Sequence, residues 1–330
     1  MFVVSLFPVS SSKERMTKRK LGKSDLEVAP LMFGGNVFGW TVDEAASFRL
    51  LDQFVDAGFN FIDTADVYSK WAPGNSGGES ETIIGRWLKR SGHRNKVLIA
   101  TKVGMELAPH RKGLSAAYIS QAVEASLHRL QIDHIDLYQS HKDDPDTDLE
   151  ETLSEYDRLV KAGKVRYIGA SNYSRERLAE ALHVSERCGF PRYQSLQPQY
   201  NLYDRHPFET DLEKICEQME LGVIPYYSLA SGFLTGKYAT KEEAESAKRA
   251  KALGKYFDHR GHNILAALQA VAAEHNSTSA RVALAWLMAR PSITAPIASA
   301  TSPQQLHDIL GAVNLQLSDH DLQKLNHASA

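Results

Sequence analysis

The chain has 330 residues, longer than a usual single domain but within the range that one closed α/β unit covers. Its 43% hydrophobic and 24% charged residues describe a globular protein with a sizeable core, and a formal net charge of -2 excludes a bulk field that would draw in nucleic acid or an anionic membrane. The two cysteines, Cys188 and Cys216, form neither a disulfide framework nor a CxxC site, so both read as reduced thiols and the expected location is cytoplasmic.

Residues 1–16 are expected to be a disordered extension. Met1 to Val9 is apolar but short and lacks a basic start, and Ser10 to Arg15 offers no small-residue cleavage site, so no secretory signal is expected. No run reaches the roughly 20 apolar residues of a membrane span. Met16 is a candidate start, and residues 17–330 read as one domain.

Residues 17–28 open that domain with strand-like pieces around Gly22-Lys23-Ser24-Asp25, the pattern of a hairpin. Strands are then predicted at 31–33, 59–62, 97–101, 135–139, 165–169, 194–197, 223–227 and 293–297, nearly continuously apolar as strands buried on both faces are. Helices are predicted at 44–57, 79–90, 116–130, 148–162, 174–187, 209–220, 279–290 and 303–312. In the first, Phe48, Leu51, Phe54 and Val55 share a face ahead of Gly58; in 148–162, Leu149, Leu153, Tyr156, Leu159 and Val160 do so ahead of Gly163. Residues 229–278 read as a helical excursion after the seventh strand, either solvated or folded over a ligand. This alternation favours a (β/α)8 TIM barrel with an N-terminal β-hairpin over an open doubly wound sheet.

Active residues of such a barrel sit at the C-terminal strand ends. There the sequence offers Asp63, Lys102 and His141, with Tyr68 in the loop after Asp63. Each alone reads equally as a cap, turn or structural residue, but together they suit carbonyl reduction. Hydride arriving at a carbonyl carbon builds charge on oxygen, which must be protonated. An ammonium beside a phenol lowers the phenol's pKa, a carboxylate holds the ammonium, and an imidazole polarises the carbonyl oxygen.

Phe61-Ile62-Asp63-Thr64-Ala65-Asp66-Val67-Tyr68 resembles the aldo-keto reductase signature, as do Ile99-Ala100-Thr101-Lys102, Leu137-Tyr138-Gln139-Ser140-His141, Gly77-Gly78-Glu79-Ser80-Glu81 and Ile84-Gly85. The resemblance runs from about residue 18 to 317 and is nearest to members similar to potassium-channel β subunits. It implies that Tyr68 is the general acid/base, that Lys102 tunes it, that Asp63 anchors Lys102 and that His141 orients the substrate. It also implies NADP(H) as cofactor, with NAD(H) as the alternative, and a small carbonyl or alcohol as substrate.

By the same resemblance Ser171, Asn172 and Gln197 hold the nicotinamide carboxamide and Tyr227 stacks on its ring. Ser228, Leu229, Ala230, Gly232, Leu234 and Lys237 belong to the pyrophosphate stretch. Gly35, Asn36, Asp63, Ser299, Thr301, Gln305 and Asp308 complete the expected cofactor contacts. The chain departs from the family where many members carry Lys and Arg after strand eight: residues 299–308 hold neither, so the cation for a 2′-phosphate is sought at Lys248, Arg249 or Lys251. Gly34-Gly35-Asn36-Val37-Phe38-Gly39 is not a GxGxxG motif, which weakens the doubly wound reading further.

Phe38, Trp40 and Trp71, with Tyr68 and His141, are the expected substrate contacts; the aromatics would otherwise pack loops onto the barrel. A metal-dependent hydrolase is disfavoured by the absence of HxH after strand one, His259 and His262 being an HxxH in the excursion, and no metal is expected. A glycosidase lacks an acid after strand seven, and Asp143 and Asp144 read as loop and capping residues. The remaining alternative is a cofactor-binding regulatory subunit with little turnover.

Overall fold

The computed structural model describes residues 16–238, 240–245 and 250–330. The expected extension, apart from Met16, lies outside these residues, as do Lys248 and Arg249; the side chain of Lys251 is likewise not described. The predicted hairpin is present: β1 (Arg19–Lys20) pairs antiparallel with β2 (Glu27–Val28). Its side chains Leu21, Leu26 and Val28 are buried against the inward-facing Met32, Phe61, Ala100, Leu137, Ile224 and Ala295. The hairpin therefore plugs the barrel floor with apolar surface removed from water on both sides.

Eight parallel strands follow: β3 (Met32–Gly34), β4 (Phe61–Asp63), β5 (Leu98–Val103), β6 (Ile135–Ser140), β7 (Val165–Ser171), β8 (Tyr193–Gln197), β9 (Gly222–Val223) and β10 (Ile297–Ala298). Their order is β10-β3-β4-β5-β6-β7-β8-β9. Thr294 N donates to Val223 O at 2.8 Å and Ile297 N to Pro225 O at 2.9 Å, which closes the sheet into the (β/α)8 barrel. The last two strands are shorter than predicted because Pro225 and Pro296 have no N–H to give a ladder.

The predicted helices appear as α1 (Glu44–Asp56), α2 (Glu79–Ser91), α3 (Ala116–Leu130), α4 (Leu149–Lys161), α5 (Arg175–Cys188) and α6 (Glu213–Gln218), the last continuing a π turn over Phe208–Leu212. Cys188 and Cys216 are free thiols on α5 and α6. The excursion contains α7 (Lys241–Glu245), α8 (Ala250–Leu253) and α9 (His259–Glu274), followed by α10 (Ser279–Met288) and α11 (Pro303–Leu310). A further helix, α12 (Asp319–Ala328), was not predicted; its signal is the capping box of Ser318 and Asp321. The predicted faces are rotated slightly: Phe48, Val55 and Val160 are half-buried, while Ser47, Leu50, Thr152 and Glu155 are buried.

One glycine of the recognised motifs has a packing role. A Cβ on Gly85 would stand 2.1 Å from Arg129 O, where α2 crosses α3 backbone to backbone. Alanine is the better helix former by roughly 0.5–1 kcal/mol. Overpacking costs about 1–3 kcal/mol and wins, so Gly85→Ala should lower the urea midpoint. An unchanged or higher midpoint would show that the crossing can give way.

Candidate active site

Side chains two apart on a strand share one face. With Phe61, Ala100 and Leu137 in the barrel floor, Asp63, Lys102 and Gln139 therefore face the axis one layer higher. Lys102 is 0% and Asp63 1% exposed, so each needs the other's charge. Lys102 Nζ donates to Asp63 Oδ2 at 2.7 Å, to Thr64 O at 2.8 Å and to Tyr68 Oη at 2.7 Å. Tyr68 Oη in turn donates to the same oxygen, Asp63 Oδ2, at 2.9 Å. Gln197 Nε2 donates to Asp63 Oδ1 at 3.0 Å, holding the carboxylate from the far side.

His141 follows β6, and its backbone N donates to Val103 O at 2.8 Å. Its ring lies 6.0 Å from that of Tyr68, edge-on, with Nδ1 buried and unpartnered. Burial, then the positive charges of Lys102 and Lys142, holds the imidazole well below its ordinary pKa. It is neutral at pH 7. The phenol of Tyr68 departs from the expected direction: burial, then the charge of Asp63 and the hydrogen bond to it, pushes its pKa well above 10. Lys102 is lowered by burial against the pull of Asp63. Lys102 Nζ thus faces a phenol that keeps its proton.

Asp63, Tyr68 and His141 line a cleft of about 880 Å³, with the fully buried Lys102 behind Asp63 and Tyr68. Of the expected cofactor residues, Asn36, Asp63, Ser171, Asn172, Gln197, Tyr227, Ser228, Leu229, Gly232, Lys237, Ser299, Thr301, Gln305 and Asp308 line it. Gly35, Ala230 and Leu234 do not. Gly34 takes the place of Gly35 because β3 alternates Met32 and Gly34 inward, and Gly35 turns under Ser80 and Asp63. Ala230 and Leu234 are fully buried and anchor the loop. Around them Tyr227, Ala230, Ser231 and Gly232 take positive φ of 54°, 47°, 59° and 99°, which folds the loop tightly beside Lys237, with Ala230 N donating to Tyr227 O at 2.7 Å and Gly232 N to Leu229 O at 2.8 Å.

The expected substrate residues divide. Tyr68, Trp71 and His141 line the cleft, and Trp71 is 49% exposed, with its ring 6.1 Å from that of Tyr68. Phe38 does not: it is fully buried, stacked 5.3 Å from Phe33 in the outer core. The turn over Gly35–Val37 directs it away from the mouth. Trp40 supports Trp71 edge-to-face at 5.6 Å and is not part of the lining. Val67 and Met105, in loops without periodic signal, and Tyr226, near the end of the predicted strand 223–227, line the cleft and were not anticipated. Asp66, two residues before Tyr68, does not line it; burial, then Glu81, pushes its pKa up to about 8.

Asp308, in the same lining, accepts from Thr278 Oγ1 at 2.9 Å and pairs with Arg281 Nε at 3.0 Å. Arg281 was invisible to a search of residues 299–308 because it arrives on α10. Thr301 N and Oγ1 donate to Gln305 Oε1 at 2.9 and 3.0 Å. His259 and His262 sit exposed on the first turn of α9, away from these groups.

No helix among the described residues is long and apolar enough to cross a membrane. Residues 30–330 match the family model described as "Aldo/keto reductase family". The chain is 37% identical to "Uncharacterized oxidoreductase YrpG" of Bacillus subtilis (strain 168), covering 93% of this chain and 94% of that protein. It is 32% identical to "Probable voltage-gated potassium channel subunit beta" of Arabidopsis thaliana, over 91% of this chain and 92% of the relative. With "Protein tas" of Escherichia coli (strain K12) it shares 30% identity over 94% and 96%. With a family match across nine-tenths of the chain and relatives that cover 91% to 94% of it, this protein belongs to the aldo/keto reductase family and is an oxidoreductase of carbonyl compounds that depends on a nicotinamide cofactor.

Proposed function

We propose that the chain reduces small apolar or aromatic aldehydes and ketones with NADPH, and runs the reverse oxidation, with Tyr68 as the general acid/base. The observation that carries this reading is the Lys102 ammonium, 2.7 Å from both Asp63 Oδ2 and Tyr68 Oη at the foot of an open cleft. Lys237 and the exposed ring of Tyr227, both lining the cleft, suit a nicotinamide dinucleotide. When bound, such a cofactor supplies hydride to the carbonyl carbon. His141, neutral, donates a hydrogen bond to the carbonyl oxygen, and Tyr68 gives that oxygen its proton. Lys102 stabilises the phenolate left behind, and Asp63, held by Gln197, keeps Lys102 in place. Trp71 and Met105 exclude water from the substrate's apolar side.

A panel of aldehydes, ketones and alcohols run with NADPH and NADH side by side tests the reading. Sustained turnover is expected; cofactor binding without turnover would favour the second reading, a regulatory subunit, which the channel-subunit relative supports. The Asp308 carboxylate lines the cleft, paired with Arg281, whose Nε also donates to Asp308 O at 3.0 Å. Asp308→Asn removes the negative charge while that backbone contact keeps Arg281 in place, so the ratio of NADPH to NADH affinity should rise several-fold, by about 1 kcal/mol of preference. A ratio that stays the same removes Arg281 from the assignment.

A further inference from the structure

Beside the cleft, under the loop that follows β8, lies a second cavity of about 250 Å³. Its floor is apolar, formed by Leu196, Phe208 and Leu212 among others. Its one ion pair is internal: Lys255 Nζ donates to Asp204 Oδ1 at 2.7 Å, and Asp204 Oδ2 also accepts from Tyr256, Gln199 and Asn201. A charged guest would therefore find no free counter-charge there. Drug-sized ligands occupy about 300 Å³ or more, and a dry cavity of roughly 150 Å³ already holds a benzene ring. A space of this size suits one substituted ring.

Two residues line both this cavity and the cleft, Asn172 and Tyr226. Tyr226 Oη donates to Asn172 Oδ1 at 2.7 Å, and Asn172 Nδ2 donates to His141 O at 2.9 Å and to Ser171 Oγ at 3.0 Å. Asn172 holds φ 54° and Tyr227, next to Tyr226, also 54°, conformations that persist only while neighbours enforce them. A ring in the cavity would brace these side chains from behind. We infer that the side cavity binds a small uncharged molecule with one apolar ring and one polar substituent, and that its occupancy tightens cofactor binding through Tyr226 and Asn172. Ordering those residues beforehand removes part of the entropy cost that the cofactor otherwise meets. The coupling half of this inference rests on the reading of Asn172 and Tyr227 as nicotinamide contacts; the binding half does not.

4-Fluorophenol, followed by its fluorine NMR signal on the full chain, is the probe. It should bind with and without NADPH, resist displacement by a carbonyl substrate and lower the NADPH Kd about fivefold, within the usual range of coupling between sites. Leu212→Trp, which fills the cavity, should abolish probe binding while carbonyl reduction continues. Leu212→Phe repeats the test with a smaller change in case the tryptophan disturbs folding. Tyr226→Phe should keep probe binding and lose the fivefold effect. Probe binding that survives both Leu212 variants, or that a carbonyl substrate displaces, puts the probe in the cleft and overturns the cavity. An NADPH Kd that the bound probe leaves unchanged or weakens overturns the coupling. Absence of carbonyl turnover, by contrast, strikes the proposed activity and leaves the cavity's occupancy readable.

Discussion

Tyr68→Phe should lower carbonyl turnover by about 10²–10⁴-fold, the range that a positioned general acid contributes, while NADPH affinity stays nearly unchanged. The substitution removes one oxygen and leaves the ring that packs near Trp71 and His141. It also strips Lys102 Nζ of one acceptor, but Asp63 and Thr64 O remain. The pH profile gives a second readout. Because burial and Asp63 push the phenol's pKa well above 10, the acid form persists through neutral and mildly alkaline pH. Reduction should show no loss of rate from Tyr68 below pH of about 10, whereas alcohol oxidation, which needs the phenolate, should rise with pH over the same span. His141, already neutral, should add no limb near its ordinary value. Turnover equal to that of the unaltered chain would remove Tyr68 from the chemistry.

Lys102→Met should cost both activity and stability. It leaves the Asp63 carboxylate buried with only neutral donors, Tyr68 Oη and Gln197 Nε2. Breaking a buried ion pair from one side costs about 3–5 kcal/mol, which should appear as a large fall in the urea midpoint. Turnover should fall at least about 10²-fold, since nothing then offsets charge on the phenol oxygen. The double substitution Asp63→Leu with Lys102→Met separates the two effects. It removes the charges together at similar volume, so most of the stability should return while turnover stays low. If the double variant proves as unstable as the single one, the pair's burial is not what the stability depends on.

Much of this was legible in the residues because the barrel repeats a simple rule. Active groups of such a barrel sit at C-terminal strand ends, and that position alone put Asp63, Lys102 and His141 at one mouth. The same rule missed loops, which have no period. Phe38, Trp40 and Trp71 looked equivalent as aromatics after strand ends, yet one is core, one is a support and one faces the cleft. The direction of a pKa was equally out of reach: a lysine beside a tyrosine suggested a lowered phenol, but desolvation depends on what covers the ring and outweighs the ammonium.

The residue pattern alone favoured the eight-strand barrel over an open sheet, opened it with a hairpin and placed Asp63, Lys102 and His141 at strand ends, because local patterning and strand-end position are properties of neighbours in the chain. Only the tertiary structure decided that Arg281 meets Asp308, that Tyr226 ties down Asn172 and that Gly34 rather than Gly35 faces the cleft. Those contacts join residues far apart in sequence or turn on a single peptide's rotation, and their energies depend on burial that no local pattern carries.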